Sequence, residues 1–150
     1  MTKRFLILTP ILVLTGFLAS PALAQGPNPQ KQVEDFYKLC EQGKANEALE
    51  AALSTSETVK EADAKRVAAA FGQMVGTMGD FLDYEIVNEV AVTKRVTVLR
   101  CVAHFDKQPF VNEFTFFNPG DGWRIVHLRY DANPATMFQP DIAREVTQQR

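Results

Sequence analysis

Few side chains in this sequence are suited to moving a proton near neutral pH. His104 and His127 are its two histidines, and Asp83, Asp106, Tyr37 and Tyr84 add carboxylates and phenols beside the apolar runs. A general acid or base needs hydrogen-bond reach of its substrate and a pKa tuned by its surroundings. His104, Glu113 and His127 are of types that hold zinc, which takes three or four ligands backed by further hydrogen bonds. Cys40 and Cys101 are the only cysteines, with no Cys-x-x-Cys motif to mark a redox enzyme. No spacing here forms a catalytic signature, so no catalytic residue, cofactor or metal ligand is assigned.

The elements that must position these groups begin with a β-meander from Tyr84 to Tyr130. Val96, Val98, Leu99, Val102 and Phe105 supply β-branched and aromatic bulk suited to a pleated surface. Asp106-Lys107-Gln108-Pro109 breaks the run, Phe110 to Phe117 resumes it, and Asn118-Pro119-Gly120-Asp121-Gly122 is a strong turn before Trp123 to Tyr130. Pairing Phe105 with Phe110 sets Cys101 against Phe114 and Leu99 against Phe116 on an inner face. Val98, Arg100, Val102, His104, Val111, Glu113 and Thr115 then point outward. Pairing Phe117 with Trp123 puts His127 outside, opposite Glu113, and a slip of one residue would turn it inward. Val96, Val98, Val102, Val111, Trp123 and Ile125 would make the outer face too apolar to stand in water, and a second copy, the C-terminal tail or a partner is expected to cover it.

Helices are expected upstream. Val33, Phe36, Tyr37 and Cys40 recur at spacings of three and four over about Gln30–Glu41, with Gly43 as the stop. A short helix follows over Lys44–Leu53. A longer one spans about Glu57–Met78, with Val67, Ala70, Phe71, Met74, Val75 and Met78 as its buried stripe. Gly72, Gly76 and Gly79 weaken that helix, and close packing on the sheet would explain them. The architecture is therefore α+β: three N-terminal helices packed on a curved antiparallel meander.

Met1–Ala24 has the parts of a secretory signal: Lys3-Arg4, an apolar run from Phe5 to Leu18, and Ala22-Leu23-Ala24 before the cut. The run is broken by Pro10 and Gly16 and is short for a membrane span, so the mature chain is expected to be secreted or periplasmic. The domain plan is a signal at 1–24, an exposed leader at 25–32, one domain at 33–131, and a tail at 132–150 with a short helix from Pro140. Losing Lys3 and Arg4 from 16 basic and 18 acidic side chains leaves 14 against 18, a net charge of −4. That balance offers nothing to a nucleic acid or a polybasic-seeking membrane. In an oxidising compartment Cys40 and Cys101 would either bridge or stay as two small buried hydrophobes.

Phe36-Tyr37 on the first helix, Gly79-Asp80-Phe81 before the sheet, and Phe114 through Ile125 with its Gly122-Trp123-Arg124-Ile125 run carry a resemblance. Over Val33 to Asp131 the chain resembles the nuclear transport factor 2-like (cystatin-like) superfamily, and looks most like its small exported members of unassigned function. The resemblance implies a cone of three helices and a bent sheet whose open end holds a small apolar ligand, and a homodimer through the outer sheet face. The lining would be Phe36, Tyr37, Phe71, Met74, Met78, Leu99, Phe114 and Phe116, residues that equally serve any filled core. Enzymatic members place acid–base groups inside the cone; here Tyr37, Asp83, Tyr84, His104, Asp106 and His127 are the candidates, with no Tyr–Asp or His–Asp pair in matching places. Fold alone does not carry function. The sequence leaves three readings: a non-catalytic ligand-binding or accessory domain, a lyase or isomerase using a pocket carboxylate or histidine, and a cell-envelope interaction module.

Overall fold

A computed structural model describes residues 27–57, 59–135 and 137. The signal sequence and the short helix expected from Pro140 lie outside the described residues. Three helices, α1 (Pro29–Glu41), α2 (Ala45–Ser54) and α3 (Glu61–Gly76), precede four strands, β1 (Phe81–Thr93), β2 (Val96–Phe105), β3 (Pro109–Phe117) and β4 (Arg124–Asp131). The strands form one antiparallel sheet in the order β1-β2-β3-β4, as expected of a chain whose neighbours are joined by short turns.

α1 starts earlier than its periodicity suggested. Asn28 caps it by accepting from the Lys31 N–H at 2.8 Å, and Pro29, whose missing N–H costs nothing at a first position, is buried. The residues expected as an exposed leader are thus partly built into the domain. α3 is shorter than expected and rotated about its axis. It buries Ala64, Ala68, Phe71 and Val75, while Val67 is exposed and Met74 only half-buried. α3 lies close on α2, where a Cβ on Gly72 would come within 3.0 Å of Asn46 Cβ, and that contact sets the rotation.

The β2–β3 register differs from expectation by two residues: Ala103 pairs with Phe110, Cys101 with Asn112 and Leu99 with Phe114. The reason is a tighter turn, in which Phe105 N–H donates to Gln108 O at 3.3 Å around Asp106-Lys107. A shift of two keeps every side chain on its face. Leu99, Cys101, Ala103, Phe110, Phe114 and Phe116 accordingly seal the inner face, and Phe36, from α1, meets Phe114 at 5.2 Å between ring centres.

That turn is stitched to the link between α3 and β1. Asp106 N–H donates to Asp80 O at 3.0 Å, Lys107 N–H to Met78 O at 3.2 Å, and the Asp106 carboxylate accepts from Asp80 N–H at 2.9 Å. Gly79 makes this fit: its φ is +92°, and a Cβ there would lie 1.4 Å from Asp106 Oδ1.

β4 corrects the second hairpin. Phe117 pairs with Arg124 and Phe116 with Ile125, then a bulge at Val126 brings His127 opposite Thr115. The extra residue lets Ile125 enter the core, 3% exposed, while His127 still faces outward. Ile125 and Trp123 therefore belong to the core side rather than to the outer face. Val111, also expected as exposed apolar surface, is fully sealed, and Met137 beyond β4 is buried too.

Candidate functional site

The most unusual chemistry inside the fold gathers around Tyr37. The helical spacing of α1 aims it at the sheet, where its ring stacks on Tyr84 of β1 at 4.1 Å. Its hydroxyl accepts from Asn112 Nδ2 at 2.7 Å. The Tyr37 side chain is 2% exposed, so its hydroxyl is enclosed in the core. Burial holds the Tyr37 phenol well above its ordinary pKa, with Cys101 adding to the shift, and burial likewise raises Tyr84. Cys40 and Cys101 are free thiols, each pushed up to about 12 by burial. At neutral pH these groups are protonated, so they orient and fill rather than abstract protons. Asn112 is 1% exposed and its Oδ1 has no partner among the described residues. Its position between Phe110 and Phe114 on an inner row was a sequence signal of an amide in the core.

Of the eight residues expected to line a pocket, Phe36 alone borders one of the described cavities. Tyr37, Phe71, Met78, Leu99, Phe114 and Phe116 are closed into the core, and Met74 is half-buried against it. The cavity that Phe36 borders is a groove of about 240 Å³ between α1, α2 and the start of β4. Leu39, Ala48, Ala52, Trp123 and Ile125 make its apolar walls, with Gln32, Asp35 and Thr55 supplying polar groups. The walls are tied together: Gln32 Nε2 donates to Trp123 O at 2.9 Å, and Thr55 Oγ1 accepts from Ile125 N–H at 3.1 Å. Arg124 anchors the same corner through Glu57 and, at 2.7 Å, Asp121.

A second, larger cleft of about 570 Å³ opens between the α1–α2 turn and the end of α3. Cys40, Glu41, Asn46, Gln73 and Asp80 line it together with Gly43, Gly72, Gly76 and Gly79. Three of those glycines were legible in the sequence as a weakness of the helix; that they border a cleft was not.

The residues first suspected of acid–base chemistry stand elsewhere. Asp83 and His104 are a cross-strand pair on the outer face, with Oδ1 and Nδ1 2.5 Å apart and side-chain exposures of 71% and 38%. Asp106 is spent on the turn described above. Glu113 is held by Arg100 at 2.6 Å, and His127 lies across from Thr115, so His104, Glu113 and His127 do not converge. Among the described residues no group of His, Cys, Asp or Glu is arranged to hold a metal ion. No described helix is long and apolar enough to cross a membrane.

Three helices followed by a four-stranded antiparallel meander, with the sheet's inner face closed by the helices, define the nuclear transport factor 2-like, or cystatin-like, fold. A Campylobacter jejuni protein provisionally described as an NTF2-like transpeptidase has this fold. It superposes with a TM-score of 0.52 and 16% identity over 67% of this chain and 99% of that one. An NTF2-like protein of unknown function from Silicibacter pomeroyi matches with a TM-score of 0.46 and 18% identity over 69% and 92% of the two chains. A cystatin-like domain of unknown function from Nostoc punctiforme gives 0.49 and 15% over 80% and 93%. No family model and no curated protein matches the chain. At such identities the likeness is one of fold.

Proposed function

We propose that this chain is an exported, non-catalytic domain that binds a small apolar molecule in the groove beneath Trp123. The observation that carries the reading is the groove's make-up: aromatic and aliphatic walls from three elements, a few polar groups at fixed positions, and a backbone laced to hold it open. At about 240 Å³ it falls below the ~300–1,000 Å³ of drug-sized sites, which suits a single ring or a short chain. Support for a non-catalytic role comes from Asp83, His104 and His127, which border neither described cavity. Export rests on the signal-like Met1–Ala24.

Trp123 is the only tryptophan, so its emission reports on the groove directly. Titration with 1-octanol is expected to shift that emission saturably, and Ala51→Phe, which fills the groove without adding a tryptophan, to abolish the response. An unsaturable response, or none, would favour an interaction module without ligand. Protein recovered from cell fractions is expected to start at Gln25 outside the cytoplasm; a full-length cytoplasmic product would end the export reading.

Self-association through the outer sheet face is part of the same reading. Val90 there is 48% exposed, and Val96, Val98 and Val102 are half-buried. Sedimentation at micromolar concentration is expected to give a dimer that Val98→Lys disperses; a monomer throughout would remove this part.

A further inference from the structure

We propose that the cleft between the α1–α2 turn and the end of α3 is a second binding site, and that it takes a small organic cation, an amine or a guanidinium. At about 570 Å³ it is inside the usual range for small-molecule sites, and it shares no lining residue with the groove beneath Trp123.

The sign of the charge follows from what surrounds the space. α1 ends at Glu41 and α3 at Gly76, so two helix C-termini, each carrying partial negative charge, border one cleft. Glu41 and Asp80 add two carboxylates, and neither is in an ion pair among the described residues. The described lining includes no lysine, arginine or histidine. Lys44, on the adjoining turn, is directed to Glu47 at 3.6 Å. The N-terminus of α2, at Ala45 and Asn46, also borders the cleft and brings the opposite sign; two carboxylates and two helix C-termini outweigh it, so the balance favours a cation over an anion.

The second observation is a glycine with no packing reason. Gly72 is explained by α2, because a Cβ there would come within 3.0 Å of Asn46 Cβ. Gly76 has no such neighbour: a Cβ built on it meets nothing within 4 Å, and its φ is not positive. Glycine is a poorer helix former than alanine, so the helix forgoes stability at a position where a side chain would fit. What a side chain at Gly76 would occupy is the cleft.

The test is a titration followed in amide proton–nitrogen spectra, with phenethylamine as the cation and phenylpropionate as an anion of similar shape. The amine is expected to move the amides of Gly43, Gly72, Gly76 and Gly79 saturably, and the carboxylate to leave them in place. Glu41→Gln with Asp80→Asn is expected to weaken amine binding roughly tenfold. Gly76→Leu, filling open space on a helical backbone, is expected to abolish it while the far-ultraviolet circular dichroism of the fold is unchanged. Were Gly76→Leu not to fold, the charge-removal variant would decide alone. Equal shifts from both probes, no saturable shift, or binding indifferent to loss of both carboxylates would overturn the proposal. The Trp123 groove can fail its own test without affecting this one.

Discussion

β1 and the β2–β3 pair are made of the same kinds of residue and end in opposite surroundings. Leu99, Cys101, Phe114 and Phe116 are wholly excluded from solvent, whereas Leu82, Val87, Val90 and Val92 are between 44% and 62% exposed. β2 and β3 pair without interruption, so alternate residues stay on one face over the full length. β1 loses register three times, and the residues it skips are Leu82, Val87 and Val92, spaced five apart. Each bulge bends and twists the edge strand away from a flat ladder, a known defence against strand-to-strand pairing. Hydrophobicity thus made a strand in both places; α1 covers β1 only near its start, where Tyr37 stacks on Phe81 and Tyr84, and leaves Leu82, Val87, Val90 and Val92 exposed. A second copy would meet this sheet by its face rather than by lengthening its ladder.

Substitutions can sharpen that contrast. Phe114→Ala removes a ring packed between Phe36 and Phe116 and is expected to cost about 3–5 kcal/mol in denaturant unfolding. A loss under about 1 kcal/mol would mean the inner face is looser than its exposures indicate. Gly79→Ala forces a side chain into a left-handed backbone and against the Asp106 carboxylate. Its expected cost is on the order of 2–3 kcal/mol, and Asp106→Ala made together with it should recover part of that. Tyr37→Phe leaves Asn112 without its hydrogen-bond acceptor in the core, for about 1–2 kcal/mol.

The thiols give a pH signature. Cys40 and Cys101 are raised to about 12 when folded, while in the unfolded chain they ionise near the ordinary ~8.5. The unfolded state therefore loses protons first, and stability, undiminished below about pH 8.5, falls as pH rises toward the folded value. Cys101→Ala should flatten that fall. An aromatic disulfide reagent is expected to label neither thiol in the native protein and both after unfolding without reductant; no labelling after unfolding would mean the two are bridged. The smallest effect belongs to the bulges of β1, where Leu82→Ala, at a position 62% exposed, should stay within about 0.5 kcal/mol. A larger loss would show that the edge is covered in solution.

Much of this was legible in the residues. Period-two alternation in Val96–Phe117, the Asn118–Gly122 turn and the stripe of Val33, Phe36, Tyr37 and Cys40 determined a helical layer on a meander, and the parity of each strand put Cys101 and Phe114 inside. These signals are local, because a pleat and a helical turn each repeat within a few residues. Register was not legible, since it turned on whether Asp106-Lys107 alone or a longer loop made the turn. That was decided by hydrogen bonds to Asp80 and Met78, more than twenty positions away. Likewise Val67 gave way to Ala64 and Ala68 because α2 chose which face of α3 to meet. The Trp123 groove and the Gly76 cleft exist only where three separate elements come to rest together, and no stretch of sequence contains such a space.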